Sequence, residues 1–499
     1  MPQAAEISVA ETDVEKPAPP DSRPGWNWFL LLAVVWLAVN LLTADRSPSV
    51  WQDEVSYSDP GINLATGRGW TSTAWPFQSR DEFFCSNVPL HPLALAGWVR
   101  IFGWSPTAVR SLNYAFVLLA AAVLWQSLYR SGIVRSIGAR LGTTALLFGT
   151  VGMAFCFRSG RPDMIAFVLI AIIFSIAVAD RDRLSPLRML VASVLIPLAA
   201  LQALPYVAFL GIVGFLANRR YFFRVALVGA GCVLGLGGWF AFLQSKGLWP
   251  RFWGAVTGAS HSGGGITTRI AEAIAGVTED ASAHVLAAAL IVFLILRLRH
   301  MGLAGLKLRE PAVVGLVLGL GVPAFVGFAG KFPIYYAWMK LAPMAVCVMA
   351  AWERECATPR SRQWLSHATV AFALLAAAAW PLRMAVTVWE WRQRDYAPVQ
   401  AFCTAQVTPA DYVVCDYQAY YPVKRQAAMT FVYNYIPAMS KADKAAATVL
   451  IIDPKDAAEV IAGIGGTWTL TAEYRNDTRS GQAVQGVAKL YKLSVYRRA

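Results

Sequence analysis

WNWFLLLAVVWLAVNLLTA, residues 26–44, gives way within six residues to WQDEVSY, residues 51–57. The first stretch approaches the roughly 20 apolar residues that an α-helix needs to cross hydrocarbon. The second sets two adjacent acids, Asp53 and Glu54, at the mouth of that helix, where a low dielectric makes an uncompensated carboxylate expensive. Ten further apolar runs follow, near 109–128, 141–157, 164–179, 189–203, 205–217, 225–243, 284–296, 311–329, 335–352 and 366–389. Together they predict an α-helical polytopic membrane protein with about 11 transmembrane helices.

Composition agrees. At 499 residues, 57% apolar and 15% charged, the chain is neither disordered, collagenous nor disulfide-framed, and it is too apolar for an ordinary soluble enzyme. The net charge of +14 would suggest a nucleic-acid partner in a soluble protein. Here the basic residues sit in short clusters between apolar runs, which is a topology signal, so no nucleic acid is expected. Seven cysteines without a C-x-x-C pair give no zinc ribbon or thioredoxin motif.

The clusters also set the sidedness. Arg130, Arg135 and Arg140, then Arg181, Arg183 and Arg188, then Arg219, Arg220 and Arg224, then Arg297, Arg299, Lys307 and Arg309, then Arg354, Arg360 and Arg362, fall in alternate loops if the 187–217 stretch, interrupted by Gln202 and Pro205, is a short hairpin. The reading is a multi-pass protein of the plasma (inner) membrane. Residues 1–25 are expected as a disordered cytoplasmic tail rather than a signal peptide, and 26–390 as the transmembrane domain. A long first loop (45–108), a Gly-rich loop (244–283) and a domain over 391–499 are expected outside the cytoplasm. In that last domain Asp411–Asp416, Thr448–Asp453, Thr467–Tyr474 and Lys489–Tyr496 read as strands and Pro454–Ile464 as a helix, giving a soluble α/β domain. Its Cys403 and Cys415 are open between a disulfide and two buried thiols.

The first loop carries the chemistry. After Asp53-Glu54-Val-Ser-Tyr57 comes Gly61 through Gly67-Arg68-Gly69-Trp70, then an amphipathic segment from Pro89-Leu-His91-Pro92 through Trp98 to Phe102-Gly103. This pattern resembles the first external loop of the GT-C glycosyltransferases, most closely the aminoarabinose transferase and protein O-mannosyltransferase group. The resemblance implies a membrane enzyme that uses a polyprenyl-phosphate sugar as donor and a glycan, lipid or protein as acceptor. It implies Asp53 as the catalytic acid, with Glu54 and Tyr57 as neighbours and His91 among the substrate-binding candidates.

Gly330-Lys331-Phe-Pro333-Ile-Tyr335-Tyr336 is similar to a second segment of that family, whose lysine meets the lipid-linked phosphate. Physically, Lys331 at the external interface suits a phosphate whose isoprenoid tail lies in the bilayer. A snorkelling lysine beside aromatic-belt tyrosines is the plain alternative. Arg158-Ser-Gly-Arg161-Pro-Asp163 places an acid, Asp163, where the family carries its second one, and Arg161 as a further phosphate candidate; a turn salt bridge fits as well. Lys340, four residues after Tyr336, points either to the donor phosphate or to an interhelical contact.

The sequence also departs from the family. Asn87-Val88-Pro89-Leu90 stands where a Lys-Pro-Pro-Leu is usual, and Gln202 lies near the place of an expected lysine, so phosphate binding falls to Arg161, Lys331 or Lys340. No cofactor is implied with certainty. His91, His261 and the first-loop acids are ligand types that a divalent metal takes, but no spacing fixes a site. Ser260-His261-Ser262-Gly263-Gly264-Gly265 lacks the lysine of a nucleotide loop and reads as a loop that orders on donor binding. The rival class is a multi-pass transporter or lipid flippase with Asp53, Asp163 and Lys340 as coupling charges.

Overall fold

The computed structural model describes residues 24–179, 184–260, 266–356, 363–476 and 491–499. Most of the expected tail, Arg181, Arg183, Arg360, Arg362 and the His261 to Gly265 run lie outside the described residues.

Each apolar run is helical. They correspond to α1 (Trp26–Leu42), α4 (Pro106–Ser131), α5 (Ile137–Gly149) with α6 (Val151–Arg158), α7 (Asp163–Ala179), α8 (Ser185–Ala199), α9 (Ala203–Ala217), α10 (Phe222–Ser245), α13 (Ala281–Met301), α14 (Pro311–Ala329), α15 (Trp338–Cys356) and α16 (Gln363–Leu375) with α17 (Ala379–Trp389). The 187–217 stretch is the expected helical hairpin, α8 and α9, turning at Ala200–Gln202. Among the described residues five helical segments are long and apolar enough to cross a membrane, six if the bent pair α5 and α6 counts as one. The remaining runs are shorter, so the fold is polytopic without a crossing being established for each. Its outer surface is apolar: Leu30, Leu31, Val34 and Val35 of α1 and Phe222, Phe223, Val233 and Leu234 of α10 are all exposed, as lipid contact requires.

Two features shape the bundle. The α5–α6 pair bends by 60° at Thr150. There Gly149 faces the carbonyl of Ala377 so closely that a Cβ would lie 2.2 Å from its oxygen, which only glycine permits. The Gly-rich loop is also more ordered than its composition suggests, since it carries α11 (Trp249–Ser260) and α12 (Ile266–Thr278).

The first loop folds into α2 (Gln52–Ala65) and the amphipathic α3 (Leu90–Phe102), which pack on each other. The C-terminal region adds α18 (Ala397–Ala405), α19 (Tyr420–Gln426), α20 (Lys441–Ala446) and α21 (Ala457–Ile464) around five strands. These are β1 (Tyr412–Cys415), β2 (Met429–Val432), β3 (Val449–Ile452), β4 (Trp468–Arg475) and β5 (Lys492–Arg498), in sheet order β2-β1-β3-β5-β4. The first three are mutually parallel and β5 runs antiparallel to β3 and β4. Sequence reading missed β2, a four-residue strand with no alternation to mark it. Val414, Phe431, Leu450 and Ile452 face α21, while Val413, Cys415, Val449 and Ile451 face the other way. Both faces are therefore covered, as a parallel sheet requires. Cys403 and Cys415 are buried free thiols.

The second face does not close on its own helices alone. Val413, Cys415 and Val495 share one core with Val55, Ile62, Leu95 and Val99 of the first loop and with Val109 and Leu112 of α4. A division at residue 390 is thus a change of composition, while the packing runs across it. Lys424 of α19 reaches Asp59 of α2 at 2.8 Å, with both side chains essentially inaccessible. Lys424→Met should leave Asp59 buried without its cation and cost about 3–5 kcal/mol. Adding Asp59→Asn should restore part of the loss in thermal unfolding. A single variant that melts like the native protein would remove this bridge from the account.

Candidate active site

Three motifs, distant in sequence, converge at the first turn of α2. Trp51 enters that helix in extended backbone (φ −141°, ψ 170°), so Asp53 and Glu54 occupy its first turn, where the helix dipole favours negative charge. The indole of Trp51 donates to the carbonyl of Ser159 at 2.9 Å, which ties the helix start to the α6–α7 loop. That loop turns on Gly160 at φ +66°, and a Cβ there would meet Cγ of Glu54 at 2.6 Å. Glycine is therefore required twice over, for its backbone and for its size.

The loop delivers Arg161 into the centre. Its side chain is 2% exposed and bridges Asp53 and Asp163, with Nε 3.0 Å from Oδ2 of Asp163. Its guanidinium lies 3.7 Å from the ring centroid of Tyr335 and 4.9 Å from that of Tyr57. Asn113 of α4 fixes the Arg161 carbonyl at 2.9 Å, and Gln202 donates to the other oxygen of Asp163 at 3.0 Å. Gln202, noted in the sequence only as a departure, thus belongs to the site. Of the two carboxylates on Arg161, Asp163 is inaccessible while Asp53 keeps 28% exposure. Asp53 is therefore the acid that can meet a substrate.

Glu54 is turned away from this centre. It is fully buried, Nε of Arg110 donates to it at 3.0 Å, and the hydroxyl of Tyr421 donates at 3.1 Å. Burial pushes its carboxyl above the usual range, against the opposing pull of Arg110. Glu54 therefore holds α2 to α4 and to the C-terminal region, and the expectation of a first-contact partner to Asp53 gives way to an anchor. Asp59 is a second anchor: Tyr420, Lys424, Ser72 and the amide of Thr73 all donate to it. Burial acts to raise its pKa, but Lys424 and these donors hold it below the usual value. None of these long-range partners, Arg110, Tyr421 or Lys424, carries a local sequence signal.

The remaining candidates divide. Tyr57, Tyr335 and Tyr336 surround Arg161, and burial raises Tyr57 to about 12. Lys331 is exposed, five residues before Tyr336 on the segment that supplies Tyr335 and Tyr336. Lys340 instead donates from Nζ to the carbonyl of Gly276 at 2.7 Å and is buried, so its open alternative resolves toward an interhelical contact. His91 is buried with its ring 6.4 Å from that of Tyr57. Arg158, counted with the loop cations, is also buried and donates to Asn40, Thr43 and Ser47, clamping α6 to the end of α1.

A divalent metal beside Asp53 does not suit these residues. The position between the two carboxylates is held by a guanidinium, and among the described residues no group of three His, Cys, Asp or Glu side chains stands close enough to ligate an ion.

No protein-family model matches the chain, and no curated protein matches it in sequence. The fold is nevertheless similar to that of ArnT from Cupriavidus metallidurans bound to undecaprenyl phosphate, with a TM-score of 0.61 at 12% identity over 95% of this chain and 98% of that one. The apo state of the same protein gives a TM-score of 0.61 at 13% identity over 95% and 98%. A weaker likeness, TM-score 0.49 at 12% identity over 88% of this chain and 70% of the other, is to the oligosaccharyltransferase AglB of Archaeoglobus fulgidus. The correspondence with ArnT is one of fold, and it spans the bundle and the C-terminal region together.

Burial, and secondarily Arg161, pushes His91 from 6.5 down to about 4, so the imidazole is neutral near pH 7. Its contribution to stability is present above its ordinary pKa of 6.5 and is lost as pH falls toward about 4. His91→Gln should therefore flatten the fall in melting temperature between pH 6.5 and pH 4. An unchanged acid limb would show that His91 is not buried in the neutral form.

Proposed function

We propose that this chain is an integral membrane glycosyltransferase that moves a sugar from a polyprenyl-phosphate donor to an acceptor hydroxyl on the extracytoplasmic face. The observation that carries the reading is the selective accessibility of Asp53: one partly exposed carboxylate, oriented by a buried arginine, where the three motifs meet. The fold is the second support, since ArnT, which shares it, was crystallised with undecaprenyl phosphate.

The proposed step is a single displacement. Asp53 takes the proton of the acceptor hydroxyl as its oxygen attacks the anomeric carbon. The bond from that carbon to the donor's phosphate oxygen breaks, and the electron pair leaves with the phosphate, so the anomeric configuration inverts. Arg161 holds Asp53 in place, and its charge is already engaged by two carboxylates. The leaving phosphate is assigned to Lys331, an exposed cation on the segment that bears Tyr335 and is similar to the family's phosphate-contacting segment. Tyr57 and Tyr335 wall the space beside Asp53. In this reading all eleven apolar runs cross the inner membrane, with the amino terminus cytoplasmic and residues 391–499 outside. The flippase reading loses one of its coupling charges, because Lys340 is engaged by the Gly276 carbonyl.

The test uses purified protein in lipid nanodiscs with radiolabelled polyprenyl-phosphate sugars. Asp53→Asn should cut turnover by about 10² to 10⁴ at equal folded protein, the usual loss for a general base. Glu54→Gln should lower the melting temperature more than the turnover of what remains folded, because Glu54 pairs with Arg110. Lys331→Ala should raise the donor KM by far more than it disturbs the melting temperature. Turnover of Asp53→Asn within a few-fold of native, or donor movement across vesicles without cleavage, would reject the assignment.

A further inference from the structure

The C-terminal sheet contains a topological switch point that the reaction as described does not use. Strands β2, β1 and β3 are parallel, and the chain passes from β1 to β2 on one side and then returns to β3 on the other. The order therefore reverses between β1 and β3, and loops leaving the carboxyl ends of strands diverge at such a switch point, leaving a cleft where α/β folds take ligands. Here that edge carries Asp416 after β1, Tyr433 and Asn434 after β2, and Asp453 and Asp456 after β3.

The edge is seated against α2 and the segment that follows it. Asn434 donates to the carbonyl of Ala74 at 3.2 Å, the Ser56 hydroxyl donates to the same oxygen at 3.4 Å, and the Trp75 indole donates to the Ser56 carbonyl at 2.6 Å. Tyr421, four residues beyond Tyr417, reaches Glu54. The carboxyl ends of β1 and β2 are thus seated on the helical turn that bears Asp53.

Tyr417 supplies the independent sign of a ligand. It is 6% exposed, its ring packs edge-on against Tyr433 at 5.2 Å, and its hydroxyl has no hydrogen-bond partner among the described residues. A buried hydroxyl left unpaired is unfavourable unless something bonds to it. Tyr417 follows β1 and Tyr433 follows β2, so this ring pair lies at the carboxyl ends of the two strands. Asp416 itself is pushed up to about 6, first by burial and then by Asp453 and Asp456 despite its bond from the Gln418 amide. Among the described residues Lys455, 61% exposed, is the cation that pairs with Asp453 and Asp456.

We infer that this edge is the acceptor subsite and that it takes a neutral or amine-bearing sugar unit of a glycan, against acceptors that carry carboxylate or phosphate. The inference rests on the transferase reading given above. The half-buried Tyr433 ring, braced by Tyr417, offers a face for the apolar side of a pyranose, and the unpaired Tyr417 hydroxyl and the carboxylates suit its hydroxyl groups or an ammonium. An anionic acceptor would meet Asp416, Asp453 and Asp456, with Lys455 already paired to the last two.

Direct binding without donor separates this from transfer. Native protein in nanodiscs would be titrated with three trisaccharides: fully deacetylated chitotriose, N-acetylated chitotriose and trigalacturonate. The amine and neutral trimers should bind, and the uronate should bind at least about tenfold more weakly. Tyr417→Phe, which keeps the ring packing, should weaken the amine and neutral trimers by about three- to tenfold at unchanged melting temperature. Asp453→Asn with Asp456→Asn should narrow the gap between the amine and uronate trimers by about tenfold or more. Equal or tighter binding of the uronate, no binding of any trimer, or indifference of the native order to these substitutions would overturn the subsite even if Asp53 proves catalytic. Loss of transfer chemistry with this binding order intact would fault the transferase reading alone.

Discussion

A carboxylate withdrawn from water must be met by a cation or by several donors, and α2 carries three carboxylates within seven residues. Each is answered from a different part of the chain. Asp53 is met by Arg161 from the α6–α7 loop, Glu54 by Arg110 from α4, and Asp59 by Lys424 from the C-terminal region. The helix at the mouth of the bundle is thereby fixed in position and rotation by charge rather than by apolar packing alone. Moving any one partner leaves a buried charge exposed to the full desolvation penalty.

Of these three pairs, only the one at Asp53 stays partly open to solvent. The other two are sealed and act as footings. This division allows one acid to stay available on a rigid turn while its neighbours absorb the cost of rigidity, a common arrangement where a reactive group must be held within a fraction of an ångström. The Arg161 guanidinium extends the same logic, since it orients Asp53 while resting on the Tyr335 ring.

The membrane fold was legible because apolarity is a local property: a run such as 311–329 announces its helix without reference to anything else. So was the core of the site, since Asp53, Arg161, Asp163 and Tyr335 lie in compact motifs whose residue types suit one another. What was hidden is pairing at long range. Lys424 lies 365 residues from Asp59 and Arg110 lies 56 from Glu54, and nothing in either neighbourhood names its partner. Lys340 stays open in the sequence for the same reason, because its acceptor is a backbone carbonyl that has no sequence signature at all. The bend at Thr150 escapes a hydropathy reading, which sees one apolar stretch where the Gly149 approach to Ala377 divides it.

The bridge from Asp59 to Lys424 also orders events during synthesis. The first loop emerges when little more than a tenth of the 499 residues has been made, yet one of its buried acids has no cation until residue 424 has followed. Until then α2 cannot settle with Asp59 sequestered, and the turn that holds Asp53 is incompletely supported. The support beneath the Asp53 turn is therefore among the last parts of the fold to be completed, because it waits on a cation supplied from the C-terminal region.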